Sequence, residues 1–248
     1  MKPRPTRGRY LTSACPMEST EMHPYYLQRR PLIVAAFEDS LHVSTPLFES
    51  LVPQHPLEKL KPLVLAELDR VLATLPYVGG ESGRMTPFFE QAAGFFALGR
   101  VLRSLGVSLE ATASLMRNTF LSKLMSLSHS KRLELGRQWL SADNQAYLRI
   151  AALTSDTKAN PGDFVYQFVE SGNVASGESF EFGLDYSECG FCKLCKANGD
   201  EELLPVMCAM DREIYAVRGV ELFRSTTLAS GGSRCDFRFR ALADQPKE

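Results

Sequence analysis

Apolar residues recur at helical spacing through roughly the first 150 residues of the chain. In the segment 57–75 this spacing is regular, and one face of a helix would carry Leu60, Val64, Leu68, Val71 and Leu75. The same spacing predicts further helices over 24–48, 86–105, 109–127 and 130–143. We therefore expect a helical region at 23–148. Residues 1–22, rich in Pro, Arg, Ser and Thr, are expected to form a mobile tail.

Beyond residue 149 the pattern changes to the alternation that is typical of strands. Strands are predicted at 164–169, 180–186, 220–229 and 234–240, with a hairpin turn at 173–177. Between the second and third strands, residues 201–217 have the spacing of a helix. The predicted fold class is α+β: an N-terminal helical half packs on a C-terminal antiparallel sheet with one inserted cysteine-bearing helix. The region 149–242 is expected to be the cysteine-rich catalytic region.

Cysteines are concentrated in the second half of this region. Five of the six lie between residues 189 and 235, namely Cys189, Cys192, Cys195, Cys208 and Cys235. On the helix predicted at 201–217, a stripe of Cys208, Asp211 and Tyr215 flanks the apolar face, which turns Asp211 inward. An inward carboxylate is costly unless it is paired, so Asp211 is either part of a structural ion pair or a functional acid.

The last predicted strand separates its residues onto two faces. Cys235 shares one face with Phe237 and Phe239, whereas Asp236 and Arg238 share the other and are expected to pair as one half of the site. A direct Cys235–Asp236 dyad is therefore disfavoured, and a pairing of Cys235 with Asp211 through the core side is easier. A buried core cysteine is the alternative interpretation of Cys235.

Composition excludes several classes of protein. A net charge of −1 gives no support to nucleic-acid binding, and no apolar run approaches the ~20 residues of a membrane span. Six cysteines without a secretory signal predict reduced thiols and a cytoplasmic location. The oligomeric state is not determined by these features.

Three kinds of site remain open, because the motifs of dinucleotide, P-loop, zincin and serine-hydrolase sites are missing. The first is a thiol nucleophile, Cys208 or Cys235, assisted by Asp211 or Asp236. The second is zinc held by Cys189 and Cys192, with Cys208 and Cys235 as the further candidate ligands, although no second CxxC or His pair completes it. The third is redox chemistry at Cys189–Cys192, without the surrounding parallel βαβ unit that thioredoxin-like proteins have.

Several short motifs, taken together in order, resemble those of the L-2-amino-thiazoline-4-carboxylic acid hydrolase family. They are the YVGG sequence at 77–80, GVS at 106–108, CxxCK at 189–193, CxxD at 208–211 and GGxxCDFRF at 231–239. The resemblance covers roughly residues 55–240, and the terminal CDFRF is the most specific of these motifs.

This resemblance implies a hydrolase that adds water to the amidine-like carbon of a small thiazoline ring and gives an N-carbamoyl cysteine. Such chemistry needs a nucleophile or base, an acid, and a cation for the substrate carboxylate. We expect no cofactor beyond a possible zinc ion. The candidate catalytic residues are Cys208, Asp211, Cys235 and Asp236, and the candidate substrate-binding residues are Arg238, Thr226 and Tyr215. The alternatives are a tailoring enzyme for another small sulfur- or nitrogen-containing substrate, and a non-catalytic CxxC ligand or redox sensor.

Overall fold

The computed structural model describes residues 21–242. The helical part contains α1 (Pro24–Val43), α2 (Thr45–Leu51), α3 (Leu57–Thr74), α4 (Thr86–Ser104), α5 (Leu109–Met125), α6 (His129–Leu140) and α7 (Ala142–Thr154). The remainder contains β1 (Val165–Val169), β2 (Gly172–Asn173), β3 (Ser179–Phe180), β4 (Phe182–Glu188), α8 (Gly190–Asn198), α9 (Leu204–Ala216), β5 (Val220–Phe223) and β6 (Cys235–Ala241). The predicted α+β class is confirmed. The tail expected at 1–22 lies almost wholly outside the described residues.

Four strands form one antiparallel sheet in the order β1-β4-β6-β5, and β2 and β3 form a separate small hairpin. In the centre of the sheet Tyr186 pairs with Cys235, and Phe182 pairs with Phe239. Since alternate residues of a strand point to opposite faces, the aromatic residues of β4 and β6 share the face that packs on the helices. The four antiparallel strands expected from the alternation are present.

Two hydrophobic clusters fill the interior. The first joins the early helices to α8 and α9, and includes Leu68, Phe89, Phe96, Leu194 and Met210. The second lies between the sheet and α6–α7, and consists of Leu148, Phe182, Leu184, Val220, Leu222 and Phe239. Helices α6 and α7 thus pack on the sheet, while the cysteine-bearing helices pack on the helical half.

One predicted helix is divided at a serine, and one helix was not predicted. The predicted helix at 24–48 is α1 plus α2. The predicted helix at 130–143 corresponds to α6, whereas α7 continues to Thr154, beyond both that prediction and the helical region expected at 23–148. Between α1 and α2 the Ser44 hydroxyl donates to the Ser40 carbonyl, 2.9 Å away. Between α6 and α7 the Ser141 hydroxyl accepts from the amide of Asn144 and caps α7. Serine hydroxyls compete with helical hydrogen bonds in this way. The spacing of apolar residues therefore does not predict where these helices break.

The inserted segment contains two helices rather than the one predicted. Besides α9, the CxxC segment itself forms α8, with Cys189 in extended conformation at its N-cap. Leu194 and Cys195 are buried on α8, whereas Lys196 is exposed. The helix is only nine residues long, too short for its periodicity to stand out.

The third predicted strand, at 220–229, is also shorter than expected and ends at Phe223. Beyond it, the amides of Ser225 and Thr226 donate to the Asp236 carboxylate instead of to a neighbouring strand. None of the helices within residues 21–242 combines the length and the apolar content that crossing a bilayer requires.

Candidate active site

Helix α9 presents a thiol and a carboxylate to a cavity beside the sheet. Cys208 and Asp211 lie three residues apart, so they occupy one face of the helix. The cavity has a volume of about 140 Å³, enough for several water molecules or one small ligand. Its polar and sulfur-containing lining consists of Arg84, Tyr186, Cys189, Cys208, Asp211, Tyr215, Arg224 and Cys235. Aromatic and apolar side chains complete its walls, among them Phe88, Trp139, Phe164, Phe191, Met207 and Phe237.

Arg224 holds the carboxylate of Asp211. Its Nη1 donates to Asp211 Oδ2 at 2.5 Å, and its Nη2 donates to the Cys208 carbonyl at 2.7 Å. Only 7% of the Arg224 side chain is exposed, against 30% for Asp211, whose accessible part borders the cavity. Burial raises the pKa of Asp211 to about 6, although Arg224 opposes the rise. The carboxylate therefore titrates close to neutral pH, where a general base is most effective.

The two candidate thiols differ in their surroundings. Burial raises the pKa of Cys208 to about 12, and the Asp211 carboxylate adds to the rise. Burial also raises the pKa of Cys235, but the backbone N–H of Leu228 donates to Cys235 Sγ at 3.2 Å and favours the thiolate. Arg224 lowers the pKa of both thiols, so the Leu228 N–H is what distinguishes Cys235. Of the two thiols, Cys235 has the better support for a negative charge.

Two tyrosine hydroxyls complete the polar lining. Tyr186 comes from β4 and Tyr215 from α9, and burial raises the pKa of both above the usual value. Each therefore remains a protonated donor at neutral pH. Tyr215, expected from the sequence to bind substrate, thus lies in the cavity.

Three of the residues expected in the site lie elsewhere. Asp236 accepts hydrogen bonds from the amides of Ser225 and Thr226 and from the Ser225 hydroxyl, at 2.5–3.0 Å. Burial alone would raise the pKa of Asp236, but these donors outweigh it and lower the pKa. The Asp236 carboxylate holds the loop after β5, and neither it nor Thr226 lines the cavity.

Arg238 also lies away from the cavity. Its Nη1 donates to Asp185 Oδ1 at 2.7 Å. Asp185 alternates with the cavity-lining Tyr186, so this ion pair lies on the opposite face of the sheet. The expected Asp236–Arg238 pair is replaced by Asp185–Arg238, because Asp236 is already bound by the loop.

The CxxC pair opens α8. Cys189 borders the cavity, and Cys192 lies in the first turn of the helix. The Cys189 thiol hydrogen-bonds to the Cys192 sulfur, which raises the Cys189 pKa and lowers that of Cys192. Within residues 21–242, no three His, Cys, Asp or Glu side chains lie close enough together to hold a metal ion. The zinc site considered from the sequence is therefore not formed by the described residues.

Sequence reasoning missed the two arginines of the cavity. Arg224 follows β5 inside the stretch that was predicted to be strand, and Arg84 lies in the loop before α4. The Arg84 guanidinium stacks over the rings of Trp139 and Tyr147, with its Cζ 5.2 and 5.7 Å from their centroids. Among residues 21–242, no carboxylate lies within 4.0 Å of it. An unpaired arginine before a helix has no periodic signature, so no pattern in the sequence marked it.

A larger cavity adjoins the first one. Its volume is about 310 Å³, and both cavities are bordered by Arg84, Trp139, Asp211 and Tyr215. The additional lining includes Gln138, Asn144 and Arg218. The site is thus a two-part space, with thiols in the smaller part.

The fold and the site together define an α+β protein with a thiol- and carboxylate-lined pocket between its sheet and its helices. Residues 122–239 match the model of the L-2-amino-thiazoline-4-carboxylic acid hydrolase family, which confirms the resemblance over this segment. The name of the family is that of a hydrolase. The matched segment contains every cysteine and every charged residue of the smaller cavity except Arg84, and it does not reach the YVGG motif at 77–80. Neither a curated protein nor a solved structure matched the chain.

Proposed function

We propose that the protein hydrolyses a small cyclic C=N substrate of the thiazoline type, such as 2-amino-thiazoline-4-carboxylate, to an N-carbamoyl cysteine. The observation that carries the proposal is the presence of Asp211, with a pKa of about 6, and of three thiols in one small cavity. The family match over residues 122–239 supports a hydrolase and a small-molecule substrate.

In the proposed reaction Cys235 attacks the amidine-like ring carbon while Asp211 accepts the thiol proton. The carbon–sulfur bond of the ring then breaks, and the ring sulfur leaves as a thiol after it receives a proton. Water next adds to the enzyme-bound carbon with Asp211 as base. Expulsion of the Cys235 sulfur leaves a urea, so one water is consumed and the free enzyme returns. In this scheme a tyrosine hydroxyl, from Tyr186 or Tyr215, donates to the ring nitrogen, since both residues line the cavity.

Arg84 is the proposed partner of the substrate carboxylate. It borders the cavity and has no ion pair among the described residues. Arg238, assigned this role from the sequence, is neutralised by Asp185 on the other face of the sheet. A planar guanidinium binds a carboxylate through two parallel hydrogen bonds, so Arg84 suits the task.

Turnover of 2-amino-thiazoline-4-carboxylate by wild type, Cys235→Ser and Cys208→Ser tests the proposal. We expect Cys235→Ser to lose about three orders of magnitude in kcat or more, and Cys208→Ser to stay within about tenfold of wild type. Cys195→Ala is the matched control, because Cys195 is buried outside the cavity. Loss of turnover only in Cys208→Ser would show that Cys208, and not Cys235, is the nucleophile. If the wild type shows no turnover, 2-amino-thiazoline-4-carboxylate is not the substrate.

A redox or ligand-sensing role of the CxxC pair is the second candidate function. The hydrogen bond between Cys189 and Cys192, together with the position of Cys189 at the cavity wall, favours it. Double substitution of both cysteines by serine separates the two functions. Full turnover in that variant means that the reaction does not need the pair, which leaves the pair free for a redox or sensing role. Loss of turnover with the fold intact means that the pair takes part in catalysis.

A further inference from the structure

The larger cavity is lined by an arginine whose guanidinium has no acceptor. The guanidinium of Arg218 makes no ion pair and no hydrogen bond within residues 21–242. Its Nε atom and the indole Nε1 of Trp139 are buried and do not open onto the cavity. The Arg218 Nη atoms are not buried in this way, so they are the donors that remain for a ligand in the cavity.

Charge points in the same direction. Arg84 and Arg218 both line the larger cavity, and its only lining carboxylate is that of Asp211. Because Arg224 already neutralises Asp211, the cavity retains two positive charges without a counter-charge among the described residues. Burial lowers the pKa of Arg218, which is half-buried. Two cations without a counter-charge at one cavity favour the binding of an anion there.

We infer that the larger cavity is an oxyanion-binding site, in which a carboxylate or phosphate group accepts hydrogen bonds from the guanidinium of Arg218. The cavity adjoins the thiols through Arg84, Asp211 and Tyr215, so the oxyanion belongs to the same ligand as the reacting ring. The natural substrate is then larger than 2-amino-thiazoline-4-carboxylate and carries a second anionic group. The assignment to a substrate rests on the proposed function, whereas anion binding itself does not.

The protein supplies its own probe of this site. Trp139 is the only tryptophan of the chain, so its fluorescence reports on the cavity directly. Inorganic phosphate and acetate, each titrated at constant ionic strength, are the two ligands. We expect at least one to change Trp139 emission saturably, and the one that does identifies the oxyanion class.

Variants of Arg218 decide the assignment. Arg218→Gln should weaken the saturable binding by about tenfold or more, because a charge-assisted hydrogen bond is lost. Arg218→Lys keeps the charge but loses the planar donor fork, so its affinity should be intermediate; it also serves if the glutamine variant does not fold. Arg137→Gln, an exposed change on the helix that carries Trp139, should bind as wild type does.

The inference is overturned if neither anion gives a saturable change, or if Arg218→Gln and Arg218→Lys both bind as tightly as wild type. Because turnover is not measured, this failure is distinct from failure of the proposed reaction. If the wild type binds the anion but does not hydrolyse the aminothiazoline, the anion site stands and the proposed substrate is wrong.

Discussion

Arg224 bridges two points of α9 that lie three residues apart, since it donates to the side chain of Asp211 and to the backbone carbonyl of Cys208. Both bonds come from one guanidinium, of which 7% of the side chain is exposed. The arginine therefore fixes the position of the Asp211 carboxylate relative to the helix and to the sheet that follows. It also keeps Asp211 from acquiring a still higher pKa.

Replacement of Arg224 by Met should destabilise the protein. The change leaves a desolvated carboxylate without its cation, for which about 2–4 kcal/mol of unfolding free energy is expected, somewhat less than for a fully buried pair. Chemical denaturation measures the loss. The matched control is Arg240→Met, which breaks the half-exposed Arg240–Glu221 pair on the same sheet and should cost at most about 1 kcal/mol. Equal losses in the two variants would contradict a special role of Arg224.

The pH dependence of kcat/KM should follow Asp211. If this carboxylate acts as the base, its active form is the ionised one, so kcat/KM rises as the pH increases through about 6 and levels off above it. Asp211→Asn should remove this limb and lower the rate by about 10²–10⁴-fold. Glu213→Gln, on the exposed side of the same helix, should leave the profile unchanged. A rate that falls as the pH rises through 6 would instead make Asp211 the acid.

Cys192 should be alkylated before Cys208 at neutral pH. The hydrogen bond from Cys189 lowers the Cys192 pKa, while burial raises that of Cys208, so Cys192 has the larger thiolate fraction of the two. Peptide mass spectrometry after brief iodoacetamide treatment gives the order of modification. In a Cys192→Ser variant the early modification should disappear. Equal rates at Cys192 and Cys208 would refute the assignment.

Gly136→Ala should loosen the contact between α6 and the end of α9. A Cβ at this position would lie 1.8 Å from the Arg218 carbonyl oxygen, which belongs to backbone and cannot rotate away. We expect a loss of about 1–3 kcal/mol in unfolding free energy. Trp139 on the same helix should also show altered fluorescence. Arg137→Ala, at the exposed neighbouring position, is the control, and a comparable loss there would mean that the contact is unimportant.

Periodicity in the sequence determined which residues of a single element share a face. The 100° step of a helix placed Cys208, Asp211 and Tyr215 together, and all three line the smaller cavity. Strand alternation likewise separated Cys235 from Asp236, and only Cys235 lines the cavity. These relationships are local, since they depend on backbone geometry within one helix or strand.

The tertiary structure alone decided which elements meet at the site. Arg84 reaches the cavity from a loop before α4, and Arg224 reaches it from the loop after β5, where Asp236 holds the backbone. Arg238 was assigned to the wrong partner because its ion pair with Asp185 depends on the register of β4 against β6. Loop conformation and strand register are set by long-range contacts and side-chain hydrogen bonds, which leave no periodic trace along the chain.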